Sequence, residues 1–564
     1  MKLVECVPNI SEGRDRSIID KVTAEIGKVP GCTLLDVDPG EATNRTVITF
    51  VGPPETIVEA AVRLAAKAAE LIDMRTQKGA HARNGATDVV PFVPVSGVTM
   101  QDCVTLAREA GRRIGKELDI PVYLYENAAS KEEWKNLANI RKGEYEALKD
   151  KLGRPEWKPD FGPAEWSERI ARSGATQVGA REFLIAYNIN LDTRNVKVAK
   201  EIGKIIREQG GAILKGPDGK KLRGPDGEFQ KAKKGLFDFC KATGWFIQEY
   251  GVAQVTMNLT NYHVTPPHLV FDKVCELATE SGCRVTGSEI VGLVPLEAML
   301  AAGHYYLEKQ GLSAGVPEPD LIEAAIRSLG LRDVAAFKPE EKIIEYRVRE
   351  QRPLVALSVR GFADELSRDS AAPGGGSVAA LCGALSAGLS SMVASLTVGK
   401  KGYDEVQAEM TGIAVEAQPL KDAFLLAVDD DTFAFNQVME SFSLPKATPE
   451  EQTIRDEAIE KASQKATLVP LSVLEQCMKA IELARRVVEQ GNRNSLSDAG
   501  VASLAARTAA AGAYLNVLIN LGGLRDKPFV AATREKADTL WQEISERAKG
   551  VEDDVLARLR GKLK

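Results

Sequence analysis

Of the 4 histidines in this 564-residue chain, His81 has the densest surroundings of glycine and polar residues. It lies in the segment 78–88, where two glycines bracket a histidine, an arginine and an asparagine, directly before the apolar run 89–95. Glycine permits backbone conformations that a Cβ forbids, so such a loop can hold its polar side chains together. Histidine titrates near neutrality and can both take and give a proton. We predict a catalytic loop; a histidine that only hydrogen-bonds its own backbone is the alternative.

Three adjacent aspartates, Asp429, Asp430 and Asp431, lie in a pattern typical of a helix. Neighbouring helical residues point in different directions, so only one or two of the three can face a core. Asp431 comes three residues after Val428 and four before Phe435, on an otherwise apolar stripe. A carboxyl turned toward an apolar bundle has its pKa raised and can act as an acid. We predict that Asp431 faces the core and that Asp429 and Asp430 are solvated.

Gly374, Gly375, Gly376 and Ser377 precede the uncharged stretch 378–398. Glycines before a helix N-terminus leave backbone N–H groups that can bind an anionic or carbonyl ligand. The stretch is long enough to span a membrane. Because Ala, Gly and Ser dominate over Leu and Ile there, we predict the central helix of a bundle instead, with membrane insertion as the alternative.

The elements that position His81 follow from the periodicity of residues 3–95, which predicts the order βαββαβ of a ferredoxin-like α/β subdomain. The predicted strands are 3–8, 32–37, 45–51 and 89–95, and the predicted helices are 14–28 and 55–72. Asn9, Asp38, Asn44 and Arg45 lie where these strands end. Ligands bind at strand ends in open α/β sheets, so we predict that these four residues line a cleft. Turn formation alone is the alternative for Asp38.

The same order of strands and helices starts again at residue 183, which predicts a second ferredoxin-like subdomain. The Trp- and Pro-rich passage 157–180 separates the two and is predicted to be a hinge whose groups can stack on a flat heterocycle; a plain linker is the alternative. Residues 215–227 contain Gly-Pro-Asp-Gly twice, which predicts hairpin-like turns with the most basic patch of the chain. This patch could attract an anionic tail; the alternative is a solvated loop, which is the more usual structure for such a run of charges.

Strand signals vanish in the last third, where helical periodicity predicts an all-α bundle. The predicted organisation is therefore residues 1–180, residues 181–332, a linker at 333–353 and a helical domain at 354–564. Within the bundle, Asp498 precedes a helix of small residues and offers a polar partner; a polar group that only satisfies the backbone is the alternative.

The net charge of −6 argues against a nucleic-acid binder, because phosphate neutralisation requires a basic field. The 8 cysteines are scattered and include no C-x-x-C pair, which predicts thiols in a reducing compartment. The N-terminus enters a strand at once and lacks the features of a signal peptide. We therefore expect a cytoplasmic protein.

Seven long motifs together closely resemble the bifunctional formiminotransferase-cyclodeaminase family, and they follow the order of that family in both halves of the chain. They are residues 4–13, 34–38, 44–47, 78–88, 160–163, 373–377 and 514–521. The resemblance covers nearly the whole chain and implies a folate enzyme of histidine degradation. It implies that the first half transfers the formimino group of N-formimino-L-glutamate to N5 of tetrahydrofolate. The second half then closes the ring to 5,10-methenyltetrahydrofolate and releases ammonia.

The resemblance places the family's transferase histidine on His81 and its cyclodeaminase carboxylate on Asp431 rather than Asp429. It implies a folate-binding segment at 161–176, with Asp38 and Asn9 in the same cleft, and a homo-oligomer built as a ring of dimers whose helical domains dimerise. The substrate-binding residues predicted in that segment are Phe161, Gly162, Pro163, Ser173, Gly174, Ala175 and Thr176. The Gly-Pro-Asp-Gly insertion has no counterpart in the family pattern.

These residue types suit the implied chemistry. An imidazole can remove the N5 proton of the folate and then protonate the departing glutamate nitrogen. Ring closure by N10 needs an acid held protonated near neutrality, and a carboxyl in an apolar bundle meets that need. We expect tetrahydrofolate as a substrate and no metal, nucleotide or flavin. Three alternatives stay open: a helical half that only dimerises, a formyl donor, and a scaffold anchored to membranes by the uncharged helix.

Overall fold

The fold is described from a computed structural model, for residues 2–41, 43–79, 82–214, 216, 220–224, 226, 228–248, 250–333, 336–349 and 352–561. Contacts divide the chain into two compact units. The first comprises Met1–Met299 and Ile326–Arg349, and the second comprises Leu300–Ala325 and Glu350–Lys564.

The first unit begins with a seven-stranded mixed sheet. Its strands are β1 (Leu3–Cys6), β2 (Asn9–Ile10), β3 (Thr33–Gly40), β4 (Arg45–Gly52), β5 (Thr87–Ser96), β6 (Val122–Glu126) and β7 (Thr176–Ala180), and its helices are α1 (Arg16–Thr23), α2 (Ile57–Leu71), α3 (Met100–Glu117), α4 (Leu137–Arg141), α5 (Leu148–Lys151) and α6 (Glu168–Ser173). From Thr46 to Phe50 every second residue of β4 is buried, as Ile48 and Phe50 show, because alternate side chains of a strand face the same side. The antiparallel order β3, β4, β1 with β2, then β5 is the predicted ferredoxin-like arrangement.

Two parallel strands extend this sheet beyond β5, in the order β7 and then β6. The strand β7 is buried along its whole length, between β5 and β6. The prediction of a hinge is therefore wrong for residues 176–180. Pairing with two neighbouring strands satisfies the backbone of a segment in which Gly and Ala weaken the strand signal.

A second sheet in the first unit has four antiparallel strands in the order β11, β8, β10, β9, which is again ferredoxin-like. The strands are β8 (Ile185–Leu191), β9 (Cys240–Ile247), β10 (Val252–Leu259) and β11 (Val285–Val291), and the helices of the same unit are α7 (Val196–Ile206), α8 (Pro267–Glu280), α11 (Pro339–Lys342) and α12 (Ile344–Arg347). Between α8 and α11 in the chain, most of α9 (Leu296–Lys309) and α10 (Glu318–Ser328) groups with the second unit. The predicted fold of two α/β ferredoxin-like subdomains is confirmed.

The second unit is helical beyond residue 352, as predicted. Its helices are α13 (Val359–Leu366), α14 (Gly375–Ser395), α15 (Gln407–Phe442), α16 (Pro449–Gln490), α17 (Leu496–Leu521) and α18 (Lys527–Gly561). Helices α14 and α17 run antiparallel, since a Cβ added at Gly512 would lie 2.9 Å from the Cβ of Ala379 while Asn492, just before α17, donates to Thr397, just after α14. By length and composition α14 could cross a membrane, and 61% of its most apolar window is buried inside the protein.

The contact-based division differs from the predicted boundaries in two places. Residues 300–325, predicted in the second subdomain, group with the helical unit, where the carbonyl of Gly315 accepts hydrogen bonds from Ser391 and Gln418. Residues 339–347, predicted as linker, form α11 and α12 in the first unit. There the backbone of Ile343 forms a parallel β-bridge with Val294. The side chain of Ile343 is buried, and burial of apolar surface stabilises this arrangement.

Candidate active sites

The loop predicted to carry the catalytic histidine is fixed at both ends in the first unit. Asn44 donates from Nδ2 to the carbonyl of Lys78 at 3.0 Å. At Gly79 an added Cβ would lie 1.9 Å from the carbonyl oxygen of Thr43, so only glycine fits this close approach. Ala80 and His81 lie outside the described residues.

Arg83 fixes the other end of the loop. Its buried guanidinium donates to Oε1 of Gln77 at 2.8 Å and to both carboxylate oxygens of Glu146, at 2.8 Å each. These contacts hold the pKa of Arg83 above its ordinary value, the hydrogen bonds of Glu146 being the largest cause. An open cleft of about 410 Å³ lies beside the loop. Its lining consists of Lys78, Gly79, Arg83, Gly143, Glu144 and Glu146.

Asp88 is the centre of a buried ionic cluster that sequence reasoning missed. The side chain is fully buried, and both Arg45 and Arg141 bond to its Oδ2 atom. Its Oδ1 atom accepts the backbone N–H of Asn84 at 2.8 Å, so the cluster adjoins the end of the loop. Asn9 accepts from Nε of Arg45 at 2.9 Å. Two predicted cleft residues, Asn9 and Arg45, are therefore brought together.

Asp38 and Asn44 have different surroundings. Asp38 is exposed on β3, and both it and Asn9 pair with Val47, so the two polar residues flank one position on the same face of the sheet. Asn44 is buried with φ of 48°, and its Oδ1 atom accepts the N–H of Gly13 at 3.0 Å. Asn44 thus positions two backbone segments, whereas Asp38 is open to a ligand.

The predicted folate segment is split into two parts with different exposure. Phe161 and Pro163 are half-buried and Gly162 is exposed, at the start of β6, where Phe161 accepts the N–H of Val122 at 2.9 Å. Ser173, Gly174, Ala175 and Thr176 are buried. Gly174 has φ of 68°, and its Cβ would lie 2.2 Å from the carbonyl of Asn84. The second part therefore supports the loop, and the first part is the one accessible to a ligand.

The second sheet carries a polar network that the sequence analysis also missed. Gln254 is fully buried and donates to Oδ1 of Asn190 at 2.8 Å and to Oε1 of Glu289 at 3.0 Å. Asn188 donates to the same Glu289 oxygen at 3.0 Å. Trp245, which is 46% exposed, donates to Gln254 at 2.6 Å. The signal was available, because the alternation Asn188, Ile189, Asn190 within a predicted strand puts two amides on one face.

In the second unit, Asp431 is a residue of α15, and its side chain lies against the N-terminal turn of α14. The hydroxyl of Ser377 donates to Oδ2 of Asp431 at 3.3 Å, and a Cβ added at Gly376 would lie 2.1 Å from Oδ1. Burial raises the pKa of Asp431 above its ordinary value, and hydrogen bonds from the side chain and backbone of Ser377 oppose the rise. Asn516 also lies at the start of α14, since its Nδ2 atom would be 3.4 Å from a Cβ added at Gly375.

Asp429 contradicts the prediction that it is solvated. Its side chain is fully buried, and its oxygens accept the backbone N–H groups of Leu354 at 2.9 Å and Val355 at 3.2 Å. Asp430 pairs with Arg352 and remains 45% exposed, as its predicted solvation requires. The prediction for Asp429 was wrong because two donors that are distant in sequence approach this position.

Asp498 and Gly374 complete the predicted residues of the helical unit. Gly374 caps α14 and lies next to the Asp431 site. Asp498 is half-buried in the first turn of α17, whereas Gly512, in the same helix, is the residue that approaches Gly375. A helix rises about 1.5 Å per residue, so Asp498 lies roughly 20 Å from that contact. The structure of this chain does not bring Asp498 to Asp431.

Three family models match consecutive parts of the chain. Residues 3–181 match the N-terminal subdomain of the formiminotransferase domain, and residues 186–349 match the formiminotransferase domain. Residues 358–539 match the formiminotransferase-cyclodeaminase model. The matched segments follow the order of the two ferredoxin-like subdomains and the helical bundle.

Curated relatives match the whole chain or one of its halves. The formimidoyltransferase-cyclodeaminase of Mus musculus is 42% identical over 550 residues, which is 97% of both chains. The glutamate formimidoyltransferase of Streptococcus pyogenes is 39% identical over 54% of this chain and 94% of its own. The methenyltetrahydrofolate cyclohydrolase of Methylorubrum extorquens is 40% identical over 33% of this chain and 89% of its own. The chain therefore belongs to the formimidoyltransferase-cyclodeaminase family.

Proposed function

We propose that this chain transfers the formimino group of N-formimino-L-glutamate to N5 of tetrahydrofolate and then converts the product to 5,10-methenyltetrahydrofolate and ammonia, in histidine degradation. The observation that carries the proposal is similarity along both halves to a bifunctional relative, at 42% identity over 97% of each chain. Tetrahydrofolate is a substrate in this proposal, because it accepts the one-carbon group and is released as 5,10-methenyltetrahydrofolate.

In the first step, N5 attacks the formimino carbon and forms a tetrahedral centre. The N5 proton has to leave, and the glutamate nitrogen has to gain a proton before its bond to carbon breaks. The proposal assigns both transfers to His81, since an imidazole serves as base and then as acid near neutral pH. It is supported by the anchoring of the loop on either side of this residue, by Asn44 and Arg83.

In the second step, N10 attacks the same carbon, and ammonia leaves only after the amidine nitrogen is protonated. The proposal assigns this proton to Asp431. Burial raises the pKa of that carboxyl, which favours the protonated acid, and Ser377 orients it. The exposed backbone of Gly375, at the start of α14, offers an N–H donor beside it for the substrate.

The chain also has features that support a homo-oligomer in the cytoplasm, which we propose as a ring of dimers. Helix α17 exposes Val501, Leu504, Leu515 and Ile519 on one face, and Ile519 is 75% exposed. Apolar faces of this kind mark protein interfaces, and a second copy is the proposed cover. All eight cysteines are free thiols, as expected in a reducing compartment.

The first test mixes the purified chain with tetrahydrofolate and N-formimino-L-glutamate and follows glutamate, ammonia and the near-ultraviolet absorbance of methenyltetrahydrofolate. Appearance of all three supports the proposal. Glutamate without ammonia would leave a transferase with a helical half that only dimerises, and turnover of N-formyl-glutamate instead would identify a formyl donor. His81→Ala should stop the first step alone, and Asp431→Asn the second alone.

A further inference from the structure

The ionic cluster around Asp88 holds more positive than negative charge. Arg45 comes from the start of β4 and Arg141 from the end of α4, and both bond to one oxygen of Asp88. Their side chains are only 11% and 15% exposed. The other side-chain partner of Arg45 is Asn9, a neutral amide. Within the described ranges, no second carboxylate pairs with either arginine.

Arg141 has a buried donor that this cluster does not use. Its Nε atom is buried and has no hydrogen-bond partner among the residues that the structure describes. A buried donor without an acceptor costs free energy, and so does an unbalanced buried charge. An anion placed here would relieve both, because a guanidinium presents several donors to a carboxylate in one plane.

The position of the cluster indicates which anion. Asp88 accepts the backbone N–H of Asn84, so the two arginines lie beside the end of the loop that carries residue 81. In N-formimino-L-glutamate the α-carboxylate is attached to the carbon that bears the reacting nitrogen. The carboxylates of a folate lie at the far end of the molecule from N5.

We propose that Arg45 and Arg141, positioned by Asp88, bind the α-carboxylate of the formimino donor. This inference rests on the proposed transferase function and assigns it a specificity-determining pair. The glutamate tail of the folate is the other source of a carboxylate, and the test distinguishes the two.

The test compares Arg141→Gln with the unaltered chain in steady-state transfer. We expect the KM for N-formimino-L-glutamate to rise on the order of 100-fold, as for the loss of a buried hydrogen-bonded charge pair, with an unchanged KM for tetrahydrofolate. The matched control is Arg113→Gln on α3, which removes pairs with Glu59 and Glu117 and should leave both KM values unchanged. The unchanged KM for tetrahydrofolate and an unchanged melting temperature of the first unit, which carries the substitution, report on folding.

Donor analogues test the same contact without a variant. The unaltered chain should lose about 100-fold in kcat/KM when the α-carboxylate is replaced by a carboxamide. Arg141→Gln should lose that discrimination. A rise in the tetrahydrofolate KM that disappears with tetrahydropteroate, which lacks glutamate, would assign the arginines to the folate tail and overturn the proposal, as would unchanged KM values.

Binding of L-glutamate, the transfer product, gives a readout that does not need turnover. Calorimetry should show binding to the unaltered chain and at least tenfold weaker binding to Arg141→Gln. If the chain transfers nothing but binds L-glutamate through Arg141, the proposed function fails and the carboxylate site stands. Transfer with equal L-glutamate affinity in both proteins overturns the site alone.

Discussion

Replacing Gly376 by alanine should separate the two activities of this chain. The added Cβ would lie 2.1 Å from Oδ1 and 2.5 Å from Cγ of Asp431. Carbon and oxygen atoms that are not bonded stay at least about 3.3 Å apart, so the carboxyl has to move by roughly 1 Å. A displacement of that size costs about 100-fold in rate. We therefore expect cyclodeamination to fall about 100-fold and formimino transfer to keep its rate.

The assay supplies 5-formiminotetrahydrofolate and follows methenyl absorbance and ammonia, while glutamate release measures transfer separately. The matched control is Gly388→Ala in the same helix, because an added Cβ there meets nothing within 4 Å. This control should keep both activities and stabilise the helix by about 0.5 to 1 kcal/mol, since alanine loses less backbone entropy than glycine.

A wild-type rate of cyclodeamination in Gly376→Ala, with an unchanged melting temperature, would refute the reasoning. It would mean that the carboxyl of Asp431 does not rest against the start of α14 during the reaction. Equal loss of activity in Gly388→Ala would also refute it, since that substitution changes α14 without approaching the carboxyl.

Three further predictions concern buried carboxyl groups. Because burial raises the pKa of Asp431 and the acid form donates the proton, cyclodeamination should slow as pH rises through that raised pKa; a rate that rises throughout a pH profile would contradict this. Asp429→Ala should lower the free energy of unfolding of the helical unit by about 2 to 4 kcal/mol, because one buried and one partly buried N–H group lose their acceptor. Asp430→Asn, at an exposed pair, should cost less than about 1 kcal/mol in denaturant titrations. Burial raises the pKa of Glu5 from 4.5 to about 7, so the unfolded chain loses this proton first and stability falls between those pH values. Glu5→Gln should remove that slope and stabilise the first unit by up to about 3 kcal/mol at a pH above 7, as thermal unfolding at several pH values would show.

Strands with strict alternation were predictable from sequence. From Arg45 to Phe50 of β4, half-buried and buried residues alternate, with Ile48 and Phe50 on the core side. The strand β7 was not predictable, because its five residues gain their strand character from pairing with Val89 and Val122, which are far away in sequence. Pairing partners at that separation leave no local pattern.

The same difference between local patterns and partners that are distant in sequence applies to the candidate sites. Periodicity, which depends only on residues three and four positions away, predicted that Asp431 faces the bundle, and its half-buried carboxyl lies against Gly376 and Ser377. It failed at Asp429, whose partners are the N–H groups of Leu354 and Val355, about 75 residues earlier. Arg141 likewise gave no signal, because it ends a five-residue helix and meets Asp88 at a separation of 53 residues.

The segment 313–315 affects where this chain could be divided into two separate proteins. The helix α15 approaches Gly315 so closely that a Cβ there would lie 2.3 Å from the Cβ of Ala414, and Ser313 bonds to Ser395. A fragment that begins near residue 354 lacks this segment, which leaves Ser391 and Gln418 without the carbonyl that they share. A free-standing cyclodeaminase derived from this chain would need other residues to cover that surface.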